Sequence, residues 1–303
     1  MIRRVSPTGE RDPEIMTRRD RVLAGLSFAF LLDEMATGVG GLDPLDALLV
    51  LAINQANIAP LTRDHDARAR YGSLDTPAPD GARRPVSMNA VAASLGLPFE
   101  TVRRRIRRLA AAQVCNLSAE GAVVPASFLA SPSYIQSVVE GHERLRRFYR
   151  EMDAAGLVEQ LPPPAFDTDD IPIRAAARLL ADYILRASEG LMREAGNVIS
   201  LLALVALLAA ALRDEGRADG HRRATSVRQI AMTLKLSPET VRRHGAELVE
   251  EGLCIRTAAG LLIPEEAFDR PGMRRLLAEN AANVQRLLAG LAERGVIRAW
   301  DGA

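Results

Sequence analysis

Glu100-Thr101-Val102-Arg103-Arg104 returns as Glu239-Thr240-Val241-Arg242-Arg243, and the reading of that pair decides the fold. The offset (239 against 100) is 139 and holds without a gap from 83–158 to 222–297. Arg83-Arg84 stands against Arg222-Arg223, and Ser87 against Ser226. Leu109, Cys115, Gly121, Pro125, Pro132 and Gly156 stand against Leu248, Cys254, Gly260, Pro264, Pro271 and Gly295. One structural unit therefore occurs twice, with a basic helix at its centre.

Inside the unit, Ser87 caps a short helix over 88–95, where Val91 and Leu95 are four apart. Gly96-Leu97 supplies a tight turn. A second helix runs from Pro98 or Phe99 to about Ala112 and buries Val102, Ile106 and Leu109. The second copy writes the same start more clearly, with Ser237 as cap, Pro238 at the first helical position and Glu239 in the first turn. Two apolar runs follow around Gly121 or Gly260. The later ones, Ala122-Val123-Val124-Pro125 and Leu261-Leu262-Ile263-Pro264, end in proline, which a strand end tolerates. Helix, turn, basic helix and hairpin make the pattern of a winged helix-turn-helix.

Thr101-Val102-Arg103-Arg104, Leu109 and Gly121, with Thr240-Val241-Arg242-Arg243, Leu248, Gly252 and Gly260, resemble the recognition helix and wing of bacterial winged-helix transcription regulators. The GntR- and MarR-like groups are nearest in style. The resemblance is at superfamily level and covers the two modules, about half of the chain. It implies binding to double-stranded DNA, with the second helix of each module in the major groove.

The residues agree with that implication. The first basic helix presents Thr101, Arg103, Arg104, Arg105, Arg107 and Arg108, five arginines against Glu100 alone. A solvated face normally interleaves acids with bases. Thr101, Arg103 and Arg104 stand near the helix N-terminus, where base edges are reached, and the other arginines suit phosphates. The second copy offers Thr240, Arg242, Arg243 and His244 there, with Arg228 and Lys235 before them and Arg256 in the wing. Glu239, Glu247, Glu250 and Glu251 accompany its helix, so the charge count assigns more affinity to the first module. Arg83-Arg84 and Arg222-Arg223, repeated in register, read as phosphate clamps.

Outward from the modules, 303 residues predict two domains, each with its own core. With 4% aromatics and abundant Ala, Leu and Arg, the fold class is mainly α: two similar halves, each a helical segment plus a winged helix-turn-helix with a short hairpin. Residues 1–18 read as a disordered tail and 19–158 as the first half. That half holds helices in 19–58 (the first over 19–35), a winged helix in 83–130 and a closing helix at 132–155. A Pro/Asp-rich linker spans 159–172. The second half, 173–303, repeats the plan with helices at about 173–188 and 191–213, a winged helix at 222–268 and a closing helix at 271–294. Asp43 and Pro44 begin the helix to Ile58 as cap and first turn. Asn54, Gln55 and Asn57 in that helix suit satisfied buried amides, a polar seam or a ligand pocket.

The net charge of +1 leaves nucleic acid open, since binding depends on where charge sits. Residues 195–212 carry no charge but read as a buried core helix rather than a membrane span. They are rich in alanine and include Asn197 and Ser200, and their counterpart at 46–57 holds three amides. Homodimerisation through apolar 42–58 and 195–212 would cover that surface. Cys115 and Cys254 occupy equivalent positions and read as small buried hydrophobes. Residues 1–20 lack a signal-peptide pattern, so a cytoplasmic, nucleoid-associated protein is expected. The histidines are scattered, and neither metal-ligand spacing, a phosphate-binding glycine loop nor a nucleophile elbow occurs, so no enzyme, cofactor or metal is expected. The function expected is a sequence-specific DNA-binding transcription regulator, with both modules in one chain forming a pseudo-dimer. Its alternatives are a plasmid-type replication initiator and a tandem winged-helix interaction scaffold.

Overall fold

The computed structural model describes residues 16–74, 77–165, 171–213 and 224–302. The tail at 1–15, linker residues 166–170 and the loop at 214–221 lie outside these, as do Arg222 and Arg223.

The chain is mainly α, with two small antiparallel hairpins. Helix α1 (Arg18–Thr37) begins in a capping box between Thr17 and Asp20, and α2 (Pro44–Ile58) begins at Asp43, whose carboxylate accepts from the Leu45 and Asp46 amides. Short α3 (His65–Arg70) interrupts a stretch whose polar composition reads as loop. Then come α4 (Met88–Leu95), α5 (Phe99–Ala111), the hairpin β1 (Asn116–Ser118) and β2 (Gly121–Val123), short α6 (Ala126–Leu129) and long α7 (Pro132–Ala154).

The second half repeats the order: α8 (Ile173–Ala195), α9 (Val198–Arg213), α10 (Val227–Leu234), α11 (Pro238–Glu250), β3 (Ile255–Thr257), β4 (Gly260–Leu262), α12 (Glu265–Phe268) and α13 (Pro271–Glu293). A final helix, α14 (Val296–Asp301), has no sequence counterpart in the first half. The break between α8 and α9 falls at Gly196-Asn197, later than the expected end near 188, because Gly196 is the residue that adopts the left-handed conformation.

The hairpins pair in equivalent registers, Leu117 with Ala122 and Arg256 with Leu261. Each is clamped to the segment before its module by a bridge, Val86 to Ala122 and Thr225 to Leu261. Gly121 and Gly260 lie against the carbonyls of Val86 and Thr225, where a β-carbon would collide with backbone. Their φ of 138° and 142° excludes most side chains as well.

Each module rests on a short apolar helix, the first on α2 and the second on α9. The long helices also cross between the halves: α1 packs along α9, while α8 packs on α9 and on α2 as well. At the α1–α9 crossing a β-carbon on Gly25 would come within 2.8 Å of the Leu212 carbonyl oxygen, so only glycine permits this approach. The expectation of one core per half gives way to a larger shared cluster joining α1, α7, α8, α9, α13 and the second module. A smaller one gathers α2 and the first module. Polar contacts bridge the same halves, with Asn280 Nδ2 donating to Ser27 Oγ at 2.6 Å and the Tyr183 hydroxyl to the Ser27 carbonyl at 3.4 Å.

Almost every side chain of α9 is buried within the chain. No single helix among the described residues is long and apolar enough to cross a membrane, and α8 with α9 reach that length only across a 101° bend. The apolar faces of α2 and α9 are covered by this chain's own helices. The reason for placing a homodimer contact on 42–58 and 195–212 is thereby removed.

Candidate nucleic-acid interface

Helix α5 buries Val102, Ile106 and Leu109 and turns its other faces outward. Its arginines divide into three groups. Arg104 and Arg107 are exposed, and neither has an ion-pair partner among the described residues. Arg103 turns back onto Glu100, with Nη2 2.6 Å from the carboxylate. Arg105 and Arg108 point toward the N-terminus of α2. Arg105 Nη1 lies 2.9 Å from Asp43 and 2.8 Å from Asp46, and Arg108 Nη2 donates to both carboxylates as well. Asp46 is 3% exposed, so this network is anchored inside the module. Burial opposes the charge on Asp43, but the Asp46 amide and the two guanidinium groups more than offset it and hold the carboxyl below its ordinary range. Arg105 and Arg108, expected on the interface, therefore fasten the basic helix to its platform.

The second copy builds the same joint with other chemistry. At the positions of Asp43 and Asp46 stand Asn197 and Ser200, at the start of α9. At the positions of Arg105 and Arg108 stand His244 and Glu247. His244 is 9% exposed, its Nδ1 2.8 Å from Glu247 Oε2 and 3.0 Å from Ser200 Oγ, and Asn197 Nδ2 donates to Glu247 at 2.9 Å. Burial opposes charge on Glu247 too, yet bonds from Ser200, Asn197 and His244 bring its carboxyl below the usual value. His244, expected to face DNA, is a joint residue.

The remaining cations of the second copy are outward. Arg228, Lys235, Arg243 and Arg256 are exposed. Lys235 takes the left-handed position that ends α10, where the first copy has Gly96. Arg242 pairs with Glu239 at 3.1 Å. Ser237 Oγ accepts from the Thr240 amide, and Thr240, like Thr101, is partly buried at the helix start.

No family model, curated protein or solved structure matches the chain.

Of the expected clamps, Arg83 is 6% exposed and hydrogen-bonded to the Ala78 carbonyl and to Asn54, each at 3.0 Å. It is a buried residue. Arg84 is exposed, its backbone held by Asn57, which also accepts from the Val124 amide at 2.9 Å. Asn54, Asn57 and Gln55 are thus bonded amides that tie α2 to the module and to α8. Cys115 and Cys254 are enclosed, and burial raises their thiols to about 12 and about 11. Among the described residues no three His, Cys, Asp or Glu side chains gather as a metal site would need.

With Arg105 and Arg108 paired to Asp43 and Asp46, and Glu247 turned to its joint, the charge difference between the two basic helices narrows but still favours the first, because Glu250 and Glu251 stay exposed beside the second. Sequence reading missed Asp43, Asp46, Asn197, Ser200 and Glu247 as partners. The signal available was spacing: acids three apart on one helix match bases three apart on another, and both pairs change together between the copies.

Proposed function

We propose that this chain is a sequence-specific double-stranded DNA-binding transcription regulator that uses two winged helix-turn-helix modules as a pseudo-dimer. The observation that carries the reading is the paired exposure of Arg104 and Arg243, which have no carboxylate partner among the described residues, at equivalent points of α5 and α11; Arg243 donates only to His244 Nε2, at 3.3 Å. Arginine so placed can pair bidentately with guanine. Arg84, Arg107, Arg228, Lys235 and Arg256 surround these two positions with charge suited to phosphates. The packing of α1 along α9 and of α8 against α2 supports the pseudo-dimer, because it ties the two halves together.

Footprinting on DNA recovered from the full-length protein in cells tests the proposal. Two half-sites in imperfect inverted repeat are expected, roughly 34–36 Å apart or a multiple of that. One short half-site per chain would overturn the two-module claim.

The interaction-scaffold reading draws support from the inward commitment of Arg105 and Arg108, which lowers the free charge on α5. It predicts no fall in DNA affinity with rising salt, whereas phosphate contacts require one.

A further inference from the structure

The two base-facing arginines differ in one contact. Arg243 Nη2 lies 3.3 Å from His244 Nε2, whereas Arg104 has no hydrogen-bond or ion-pair partner among the described residues. The His244 ring is 9% exposed and sits between its own helix and the start of α9.

Its partners fix where the ring hydrogen sits. Nδ1 lies 2.8 Å from Glu247 Oε2, and that carboxyl, held below its ordinary range, only accepts. Ser200 Oγ, 3.0 Å from Nδ1, gives its own hydrogen to Glu247 at 2.9 Å. Nδ1 therefore carries the hydrogen. A guanidinium only donates, so Nε2 is the bare nitrogen that accepts from Arg243. The neutral ring alone makes both contacts at once. A second proton would set an Nε2–H and a positive charge against the Arg243 guanidinium.

Among the described residues no other charged group bonds to the ring. From α9 come Ser200 and, bonded to Glu247, Asn197, both uncharged. Arg228 and Lys235 at α10 and Arg256 on the hairpin are exposed, and none pairs with it. At the end of α8, Arg193 turns to Glu279 and Glu194 lies against Gly272, both on α13. The first copy has no such arrangement, because Arg105, at the position of His244, is a permanent cation bonded to Asp43 and Asp46 and cannot accept.

We infer that, granted the proposed DNA binding, His244 is a positioning residue: its neutral ring holds the Arg243 guanidinium for base reading, and its protonation lets it go. A side chain locked by a supporting hydrogen bond has less ordering left to do when it meets its base. Base discrimination by the second module is therefore pH-dependent, and that by the first is not.

The test is the ratio of affinities of the full chain for a duplex recovered by footprinting and for a scrambled one. His142→Gln serves as background, because His142 is the other buried imidazole. From about pH 7.5 to about 5.5, across the range in which histidine changes charge, the ratio should fall roughly three- to tenfold, the contribution of one hydrogen bond. His244→Gln, which accepts from Arg243 and donates to Glu247 without titrating, should keep the ratio high at both pH values. His244→Arg, which offers only donors as the first copy does, should keep it low at both. Arg243→Ala should remove the pH dependence, and Arg104→Ala should preserve it. Nitrogen NMR of the histidine rings in the DNA-free chain should find the His244 hydrogen on Nδ1 at about pH 8.

A ratio that ignores pH overturns the inference, as does a fall that survives in His244→Gln or in Arg243→Ala. A neutral ring with its hydrogen on Nε2 overturns it without any DNA. Binding to no duplex at either pH would instead remove the DNA-binding reading, and the inference with it.

Discussion

Arg105 reaches Asp46 at 2.8 Å, from the basic helix to the first turn of the helix beneath it. That contact turns a charge expected to meet phosphate into a bolt between two elements. Asp46 is 5% exposed at its side chain and cannot be left without a cation cheaply. The equivalent joint in the second copy uses a serine, an asparagine, a histidine and a glutamate. The copies therefore keep the geometry of the platform while exchanging which helix bears the negative charge.

Arg105→Ala should lower stability by about 1–3 kcal/mol, the range for losing charge-assisted bonds to a buried carboxylate. Its effect on DNA affinity should be no more than a few fold. Urea unfolding and fluorescence anisotropy on the same preparation read both quantities. A large loss of affinity with unchanged stability would place Arg105 on the interface after all.

Arg104→Ala and Arg243→Ala should each weaken specific binding by about 1–3 kcal/mol, roughly 5- to 150-fold, and relax preference at one base position. The Arg104 loss should be the larger, because exposed Glu250 and Glu251 lower the charge on the second basic helix where the first has alanines. Arg107→Ala or Lys235→Ala should instead weaken all sequences alike and reduce the salt slope by about 1. Titrations at several salt concentrations, with specific and scrambled duplexes, separate these classes.

Gly245 and Leu261 form a compensated pair. A β-carbon on Gly245 would lie 2.6 Å from Leu261 Cδ1, while the equivalent positions of the first copy hold Ile106 and Ala122, both fully buried. Gly245→Ile alone should cost about 1–3 kcal/mol by overpacking, and Leu261→Ala alone about 2–5 kcal/mol by opening a cavity. Together they should cost clearly less than their sum. Strict additivity in urea unfolding would show that the two positions do not share the space.

How much was legible follows from which interactions are local. Ser87, Ser226 and Ser237 cap helices as their sequence positions indicate, because a cap bonds an amide three residues on. The faces of α5 were readable from the spacing of Val102, Ile106 and Leu109. The joint was not read, since Asp43 and Asp46 lie some sixty residues from Arg105 and Arg108 and a helical wheel does not name its neighbour. Arg83 was misread for a similar reason: doubled arginines repeated in register resemble a clamp, yet one is drawn inward by Asn54 and the Ala78 carbonyl. The packing of α1 along α9 left only Gly25, unremarkable inside an apolar helix, as its trace.

The sole tryptophan makes the final prediction readable by fluorescence. Trp300 Nε1 donates to His142 Nε2 at 3.1 Å, which requires a neutral ring with its proton on Nδ1. That Nδ1 is buried without a partner among the described residues. Burial lowers the His142 pKa below its ordinary 6.5; Glu143 opposes the shift and Arg146 adds to it. Above pH 6.5 the folded and unfolded chains both hold this group neutral, so it contributes nothing there. As pH falls through 6.5 the unfolded chain takes up a proton that the folded one refuses, and stability falls by at most about 1.4 kcal/mol per pH unit. Protonation of the folded ring would set two N–H donors against each other and release α14 from α7. Trp300 emission should therefore shift to the red only as pH falls below 6.5. His142→Gln, which keeps an acceptor and cannot titrate, should hold the emission constant. A native chain whose emission does not move over that range, or a glutamine variant that moves equally, would rule out His142 as the cause.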